Sequence, residues 1–409
     1  MRKVGIDAVG VERMALALRR SGPRFLDRSF TRAELAYCNG SAEKLAGRWA
    51  AKEAVIKCFE GTGICFPRRR VEVLSSPGGA PRVRLLGDSR GARVEVSITH
   101  HTGLAVAAAL LELADEAPAL LEAPEGVRLP ERPPDAHKGT FGTVVLLAGS
   151  LGLTGAAYLA ATASARAGAG LVRLLVAESI YPILAAKCTE VMATPVAEVA
   201  PGAVGHSALD AILRQLEGSE AGVIGPGLGR DSSTWRLVDE LAVRAPAPLV
   251  LDADALNALA ESPRSLQRLG PKRVLTPHPG EMARLRRRPL AEVQADRREA
   301  VVAAAREWKA VVVLKGAGTL VAAPDGRVSQ DPHHVPALAS GGTGDVLAGL
   351  IGGLLAQGLA PYEAAVTGVY VHAAAGRRVS ARLGDSGLLA SDLLAEIPLV
   401  MNLLRQGGL

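Results

Sequence analysis

Residues Ser340-Gly341-Gly342-Thr343-Gly344-Asp345 form the stretch around which the longer part of the chain is organised. The three glycines allow positive φ and a close approach of the backbone to a ligand, and the apolar residues after Asp345 are typical of a helix. The free amide groups at the start of such a helix favour a bound phosphate. Asp345 is therefore either a helix cap or a general base beside a phosphoryl group, and the turn alone does not distinguish the two.

The length and composition indicate more than one folded domain. At about 100 to 200 residues per domain, 409 residues predict two or three domains, and an apolar fraction of 48% is enough for packed cores. The sequence has no apolar run long enough to cross a membrane and no signal peptide at its start, so we expect a cytoplasmic protein without membrane contact. Its four cysteines show no metal-type pairing and are expected to be reduced.

The positive charge is concentrated in the first part of the chain. Residues 1–112 contain 19 Lys and Arg against 11 Asp and Glu, whereas the remainder contains 28 against 30. A small basic domain can bind nucleic acid, a membrane surface or an acidic protein. Because the aromatic side chains that stack on bases are nearly absent, we expect an acidic protein partner and no nucleic acid.

The pattern of residues 1–112 predicts a small α+β domain. Strands are expected at residues 3–7, 71–74, 82–86, 94–101 and 104–111, and helices at residues 11–20 and 45–59. Glu53 and Lys57 lie four residues apart on one face of the second helix. Taken alone, they predict only an exposed ion pair worth about 0.3 to 0.5 kcal/mol.

The order of motifs in this domain resembles the holo-(acyl-carrier-protein) synthase family. The motifs are Gly5-Ile6-Asp7, Ala51-Lys52-Glu53-Ala54 with Lys57, Gly61-Thr62-Gly63 and Ser97-Ile98-Thr99-His100. The resemblance implies a phosphopantetheinyl transferase that modifies a serine of acyl carrier protein. It further implies that Asp7 and Glu53 hold Mg²⁺, that Lys57 is catalytic, and that Lys57 and His100 bind coenzyme A.

Residues 113–135 contain five prolines and several charges, so they cannot sustain a long helix. We predict a linker here, between a first domain at 1–112 and a second at 136–409.

From residue 136 onward apolar strands alternate with helices, which predicts a three-layer α/β domain with helices on both faces of a sheet. Polar motifs follow the carboxyl ends of the strands, where open α/β sheets bind ligands. They are Gly225-Pro226-Gly227-Leu228-Gly229, Asp252-Ala253-Asp254, Thr276-Pro277-His278-Pro279-Gly280-Glu281 and Lys315-Gly316-Ala317-Gly318-Thr319. Each could be a turn, a cap or a solvated charge, but their repetition at successive strand ends predicts one ligand site.

Together with His137-Lys138-Gly139 and the stretch before Asp345, these motifs resemble the ADP/ATP-dependent NAD(P)H-hydrate dehydratase family of the ribokinase-like fold. The resemblance implies two groups of site residues. The hydrated nicotinamide nucleotide would contact Ala156, Gly227, His278 and Asp345. The adenine nucleotide would contact Lys315, Gly316, Ala317, Gly318, Thr319 and Gly344.

On this interpretation Asp345 takes a proton from the substrate hydroxyl as that hydroxyl attacks the terminal phosphoryl group. We expect ADP as the donor, with ATP as the alternative, because the sequence is bacterial in type. The competing interpretation is a vitamin or sugar kinase of the same fold whose N-terminal domain serves only interaction or oligomerisation. We also expect a homo-oligomer, and an epimerase on a separate chain.

Overall fold

The structure is a computed structural model that describes residues 2–61, 64–76, 78–87, 92–112 and 118–407. The chain divides into two compact units, Met1–Glu116 and Ala117–Leu409, called unit 1 and unit 2 below. Thr62 and Gly63 of the predicted turn, Pro77, and residues 113–117 of the predicted linker lie outside the described residues. Within the described part of the chain, every helix is too short or too polar to span a bilayer.

Unit 1 is a small α+β structure, as predicted. Its helices are α1 (Val11–Ser29), α2 (Arg32–Cys38) and α3 (Ala42–Phe59), and its strands are β1 (Arg2–Gly10), β2 (Val71–Ser75), β3 (Pro81–Leu85), β4 (Arg93–His101) and β5 (Leu104–Glu112). An antiparallel sheet has the order β1-β5-β4, and β2 pairs with β3. Helix α3 packs so closely on β1 that a Cβ atom on Gly5 would lie 2.0 Å from the Ala54 carbonyl oxygen. This close approach brings Asp7 next to the side chains of α3.

The first helices of unit 1 differ from the prediction. Helix α1 continues past residue 20 and through Pro23 to Ser29, since its later residues pack on α3, where the Phe25 and Trp49 rings stack 5.2 Å apart. Helix α2 was not predicted at all. It begins with a capping box in which Thr31 and Glu34 each accept a backbone hydrogen bond from the other.

Unit 2 is built around one large sheet, and β9 and β10 form a separate pair. The strands of the unit are β6 (Thr143–Leu147), β7 (Leu171–Ala177), β8 (Met192–Val196), β9 (Glu198–Ala200), β10 (Ala203–Val204), β11 (Ala221–Ile224), β12 (Leu249–Leu251), β13 (Arg273–Leu275), β14 (Val311–Leu314), β15 (Leu320–Ala322) and β16 (Val328–Gln330). Its helices are α4 (Thr154–Arg166), α5 (Tyr181–Lys187), α6 (Leu209–Glu217), α7 (Ser232–Arg244), α8 (Asp254–Glu261), α9 (Pro263–Leu266), α10 (Pro279–Arg286), α11 (Leu290–Ala295), α12 (Arg297–Trp308), α13 (Thr343–Ala356), α14 (Pro361–Leu383) and α15 (Ala390–Gln406).

The order of strands in this sheet explains where a ligand can bind. The order is β16-β15-β14-β13-β12-β11-β6-β7-β8, with parallel pairing from β8 to β14 and antiparallel pairing of β15 and β16. The chain proceeds from β6 in one direction and from β11 in the other, so right-handed crossovers place their helices on opposite faces of the sheet. The three-layer prediction is confirmed, and the direction changes between β6 and β11, where doubly wound sheets bind ligands.

The described residues of the proline-rich segment, 118–135, contain no helix, and they belong to unit 2, where they are held against its later helices. Thr367 on α14 exchanges hydrogen bonds with the backbone of Arg128 at 2.9 and 3.0 Å, and the Tyr370 hydroxyl donates to the Leu121 carbonyl. The Arg132 guanidinium donates to the Gly168 carbonyl at 2.6 Å. This part of the segment is therefore a strap along unit 2.

Candidate active sites

The Lys315 ammonium group connects the polar motifs of unit 2. Nζ donates to Asp252 Oδ1 at 2.9 Å and lies 3.8 Å from Glu281 Oε2. A Cβ atom placed on Gly344 would lie 3.4 Å from Nζ. Burial acts against the ammonium charge, but the carboxylates of Asp252 and Glu281 outweigh it and raise the pKa of Lys315. The structure thus holds a charged lysine beside the glycine turn that precedes Asp345.

Asp345 lies in the first turn of α13. Gly342, with φ at +89°, is the N-cap residue, so Asp345 occupies the third position of the helix and not the cap itself. Burial, together with the negative charges of Asp252 and Asp254, raises the pKa of Asp345 to about 7, although Lys315 opposes the change. A carboxyl group with this pKa can hold or release a proton near neutral pH, which is the property that a general base requires.

His278 is the N-cap of α10. Its Nδ1 accepts hydrogen bonds from the N–H groups of Gly280 and Glu281 at 3.0 and 3.3 Å, and the Glu281 carboxylate accepts from the His278 N–H at 2.8 Å. Burial, followed by the positive charges of Lys315 and Arg284, lowers the pKa of His278. Because Nδ1 is an acceptor, the neutral ring carries its proton on Nε2. The half-exposed imidazole can therefore donate one hydrogen bond to a substrate.

The glycine loop after β11 lies against the start of α4. Gly227 has φ at +62°, and a Cβ atom on it would lie 2.9 Å from the Ala156 Cβ. Any larger residue at 227 would collide with α4, so the contact requires glycine. Asp254 holds the end of the loop, because its Oδ2 accepts from the Gly229 N–H at 2.8 Å. The structure thus brings the predicted residues Ala156 and Gly227 together.

A cavity of about 460 Å³ lies beside Lys315 and Gly344. This volume is within the range of about 300 to 1,000 Å³ that is typical of small-molecule sites. Its lining includes five of the six residues predicted to bind the adenine nucleotide, namely Lys315, Gly316, Ala317, Thr319 and Gly344. The sixth, Gly318, belongs to the same loop, and its N–H donates to the His333 carbonyl at 3.3 Å. The rest of the lining is mostly apolar and includes Val335, Leu338, Leu347 and Val369.

Three further residues that support this cavity were not predicted. Arg297 donates to the carbonyl oxygens of Ala317 and Leu314 at 2.7 and 3.1 Å. His372 lies 2.9 Å from the Thr343 carbonyl, and burial lowers its pKa to about 4. His333 lines the cavity and pairs with Asp331 at 2.9 Å. None of them belongs to a recognisable sequence motif; their roles follow from contacts between residues distant along the chain.

In unit 1 the predicted acids and lysine form a second polar site. Lys57 Nζ lies 2.9 Å from Asp7 Oδ1 and also donates to the Ile6 carbonyl at 2.9 Å. Its hydrogen bond to Asp7, with the nearby charges of Asp7 and Glu53, raises the pKa of Lys57. Glu53 pairs with Arg68, whose guanidinium lies over the Trp49 ring at 4.7 Å. The simple Glu53–Lys57 ion pair is thus replaced by two pairs with partners from other segments.

The chemistry of this site fits a divalent cation. Two carboxylates are hard oxygen ligands of the kind Mg²⁺ prefers, but Asp7 is paired with Lys57 and Glu53 with Arg68. Among the described residues there is no group of three or more His, Cys, Asp and Glu that could hold a metal ion. Asp7 and Glu53 would therefore bind Mg²⁺ only together with other oxygen ligands, such as those of a bound phosphate.

His100 lies near the end of β4, against the earlier part of α3. It is exposed, and a Cβ atom on Gly47 of α3 would lie 2.5 Å from its Nε2. Gly47 precedes Lys57 by ten residues, which corresponds to about 15 Å along a helix. Only an extended ligand that lies along α3 could contact both His100 and Lys57.

Comparison with known proteins assigns each unit to a family. Residues 144–399 match the family model for NAD(P)H-hydrate dehydratase, and residues 3–109 match that of the 4'-phosphopantetheinyl transferase superfamily. The bifunctional NAD(P)H-hydrate repair enzyme Nnr of Moorella thermoacetica is 48% identical over 279 residues, which are 68% of this chain and 53% of that protein. The chain thus spans about half the length of the first curated relatives that it matches.

Two further relatives match over nearly their whole length. The ADP-dependent (S)-NAD(P)H-hydrate dehydratase of Xanthomonas campestris is 40% identical over 67% of this chain and 93% of that protein. The crystal structure of the ADP/ATP-dependent NAD(P)H-hydrate dehydratase of Bacillus subtilis, co-crystallised with ATP and Mg²⁺, has a TM-score of 0.57 and 34% identity. It covers 67% of this chain and 94% of its own.

Proposed function

We propose a function for each unit from the premise that this chain belongs to the NAD(P)H-hydrate dehydratase family and carries a holo-(acyl-carrier-protein) synthase-like unit before it. Unit 2 dehydrates (S)-NAD(P)H hydrate to NAD(P)H, with ADP as the phosphoryl donor. Unit 1 transfers 4'-phosphopantetheine from coenzyme A to acyl carrier protein. The domain boundaries that we propose are residues 1–112 and 136–409, with residues 113–135 between them.

The observation that carries the dehydratase proposal is the position of Lys315. Its ammonium lines the cavity of about 460 Å³ and lies beside Gly344, and it also reaches the carboxylates that surround the His278 loop. A nucleotide in the cavity would thus place its terminal phosphate between Lys315 and the start of α13, where the helix N–H groups favour negative charge. Asp345 lies in that same first turn.

The proposed reaction has two steps. Asp345 takes the proton of the ring hydroxyl, the hydroxyl oxygen forms a bond to the terminal phosphorus, and the bond from that phosphorus to the ADP bridging oxygen breaks. Phosphate then leaves with its C–O electron pair, and loss of a ring proton restores the double bond of the reduced nicotinamide. Lys315 and the amide groups of the glycine turn stabilise the charge on the phosphoryl oxygens during transfer.

A direct assay tests this proposal. The full chain is incubated with hydrated NADH or NADPH and either ADP or ATP, and recovery of the absorbance band of the reduced nicotinamide is followed. We expect recovery that requires the nucleotide and is faster with ADP. Absence of recovery, together with phosphorylation of a vitamin or sugar hydroxyl, would instead identify a kinase of the same fold.

The transferase proposal rests on charge and on the carboxylate pair. Helix α1 carries five exposed arginines, Arg13, Arg19, Arg20, Arg24 and Arg28. Such a surface favours an acidic partner such as acyl carrier protein. Asp7 and Glu53 would hold Mg²⁺, which would neutralise the pyrophosphate of coenzyme A, while Lys57 and His100 would bind the phosphates of the nucleotide.

Mass spectrometry tests the transferase proposal. Apo carrier protein mixed with coenzyme A, Mg²⁺ and the full chain should gain the mass of one phosphopantetheine group. Glu53→Gln should abolish this gain, since it removes a charged magnesium ligand. An unchanged carrier mass with the wild-type chain would favour an interaction or oligomerisation role for unit 1, and full transfer by Glu53→Gln would refute the metal assignment.

We also infer that unit 1 assembles with further copies of the chain. The sheet face opposite α3 exposes apolar side chains on β1 and on the central strand β5, namely Val4, Ile6, Leu104 and Leu110. Apolar side chains on a central strand favour a covering partner. Light scattering of the full chain should give a mass above that of the monomer, and Ile6→Asp should lower it. An epimerase on a separate chain remains a prediction.

A further inference from the structure

Asp252 is buried at the centre of the site in unit 2, but it is not one of the groups that react or bind phosphate in the proposed dehydration. It follows β12 directly, and only 1% of its surface is exposed. Its Oδ1 accepts hydrogen bonds from the Thr276 hydroxyl at 2.7 Å and from Lys315 Nζ at 2.9 Å. These two donors follow β13 and β14, so the carboxylate joins the ends of three neighbouring strands.

The backbone around Asp252 is strained. Ala253 has φ at +50° and ψ at −113°, a conformation that is strained for a residue with a Cβ atom. Gly225 must approach so closely that a Cβ atom on it would lie 1.8 Å from the Asp252 carbonyl oxygen. Such strain persists only where the surrounding structure holds it, and it is concentrated at functional sites. The position of Asp252 is thus maintained at a cost.

We propose that Asp252 is a positioning residue for the proposed dehydration, which holds the Lys315 ammonium at the glycine turn and keeps a fixed negative charge beside Asp345. The inference rests on the proposed function of unit 2. Without Asp252, Lys315 would lose its hydrogen-bonded carboxylate partner and retain the longer-range attraction of Glu281, 3.8 Å away, and of Asp345. The flexible lysine stem would then be held less firmly beside Gly344.

The charges that act on Asp345 come from several elements of unit 2. Asp252 and Asp254 lie at the end of β12, and Lys315 lies at the end of β14. The His372 ring on α14 contacts the Thr343 carbonyl in the turn before Asp345, and it is neutral because burial lowers its pKa to about 4. Among them Asp252 and Asp254 favour the protonated form of Asp345, and Lys315 favours the charged form. Removing the charge of Asp252 should therefore make Asp345 a weaker base that loses its proton at lower pH.

The test compares the pH dependence of kcat/KM for dehydration in the full wild-type chain, Asp252→Asn and Asp252→Glu, with hydrated NADPH and ADP. For Asp252→Asn we expect the acid limb to move down by about one pH unit and kcat to fall by at least about tenfold. Asp252→Glu keeps the charge but displaces it by one methylene group. It should lower kcat, or raise the KM for ADP, while the acid limb stays close to the wild-type position.

Glu396→Gln is the matched control. It also removes a paired carboxylate from unit 2, but the partner of Glu396 is Arg378 on α14, outside the site. It should leave the acid limb unchanged. If Asp252→Asn does not fold, Asp252→Glu still decides, since an acid limb displaced despite the retained charge contradicts the proposal. An active wild type whose acid limb is the same in Asp252→Asn overturns this inference alone. A wild type without dehydration activity overturns the proposed function as well.

Discussion

Each unit of this protein buries a lysine against a carboxylate, and the two pairs differ in how many hydrogen-bond donors of the lysine remain unused. In unit 1, Lys52 Nζ and Glu34 Oε2 are 2.8 Å apart and both side chains are fully buried. In unit 2, Lys315 and Asp252 are 2.9 Å apart, but a fifth of the Lys315 side chain remains exposed. Both pairs link neighbouring elements, and the second borders the cavity of about 460 Å³.

The hydrogen bonds explain the difference. The Lys52 ammonium donates to Glu34 and to the carbonyl oxygens of Arg68 and Val71, which uses all of its three donors. Glu34 in turn accepts from the N–H groups of Thr31 and Val73. Lys315 donates to Asp252 and keeps donor capacity toward the cavity. A buried ion pair is therefore a sign of a ligand site only when one member still has hydrogen bonds to offer.

The largest effect on stability should come from breaking the Lys52–Glu34 pair, called the closed pair here because all donors of Lys52 are used within the protein. Lys52→Met leaves the Glu34 charge buried without its partner, which should lower the free energy of unfolding of unit 1 by about 3 to 5 kcal/mol. Hydrogen exchange of the α3 amides in the full chain, measured with increasing denaturant, follows this unit separately.

Lys57→Met is the matched control for this experiment. Lys57 lies on the same helix and pairs with Asp7, but it is exposed, so its loss should lower the free energy of unfolding far less than Lys52→Met does. Equal losses for the two variants would show that the closed pair contributes no more than a surface pair does.

The Lys315–Asp252 pair, the open pair because it borders the cavity, should affect activity more than stability. Lys315→Met removes a cation directed at the transferred phosphoryl group and should lower kcat for dehydration by about 10² to 10³. Its effect on thermal unfolding should be smaller than that of Lys52→Met, because Lys315 itself is partly exposed and Asp252 keeps the hydrogen bond from the Thr276 hydroxyl. The exposed Lys309 supplies the control variant, Lys309→Met. Intact turnover in Lys315→Met, with a large loss of stability, would make the two pairs equivalent.

A smaller effect is expected from the residue that supports the Lys315 loop. Arg297 donates to the backbone carbonyls of Leu314, Lys315 and Ala317 and so supports the loop proposed to bind the nucleotide. Arg297→Met should therefore raise the KM for ADP about tenfold, or about 1.4 kcal/mol, with little change in kcat. Arg298 is adjacent and exposed, and Arg298→Met should leave the KM unchanged. A fall in kcat without a change in KM would contradict this support role.

Much of the fold follows from the sequence, since local patterns determine it. The strands β6, β11, β12 and β14 are apolar runs that end at glycine or acidic motifs, and the three-layer arrangement follows from their alternation with helices. The strands β8, β9 and β16 were not predicted, because they are partly exposed and carry no such pattern. The buried strand β15 was not predicted either, because its apolar run is only three residues long.

The site could be predicted only where a motif is contiguous. Lys315 and Asp345 each belong to a recognisable stretch, whereas the Lys315–Asp252 contact joins residues 63 positions apart and depends on the order of the strands. The closed pair illustrates the same limit, since Lys52 stands beside the predicted ligand Glu53 in the sequence but points into the core. Residue type and spacing identified the candidates, and the strand order decides which of them meet.

The most direct test is the rate of dehydration of hydrated NADPH with ADP, measured from pH 5 to 9 in the wild type and in Asp345→Asn. A carboxyl group must be deprotonated to act as a base, so the wild-type rate should fall as the pH drops below about 7, where Asp345 becomes protonated. Above about pH 7 Asp345→Asn should lose a factor of about 10² to 10⁴, and the difference from the wild type should narrow at lower pH, while transfer to carrier protein by the same chain continues. Dehydration at the wild-type rate in Asp345→Asn would contradict the assignment of Asp345 as the base.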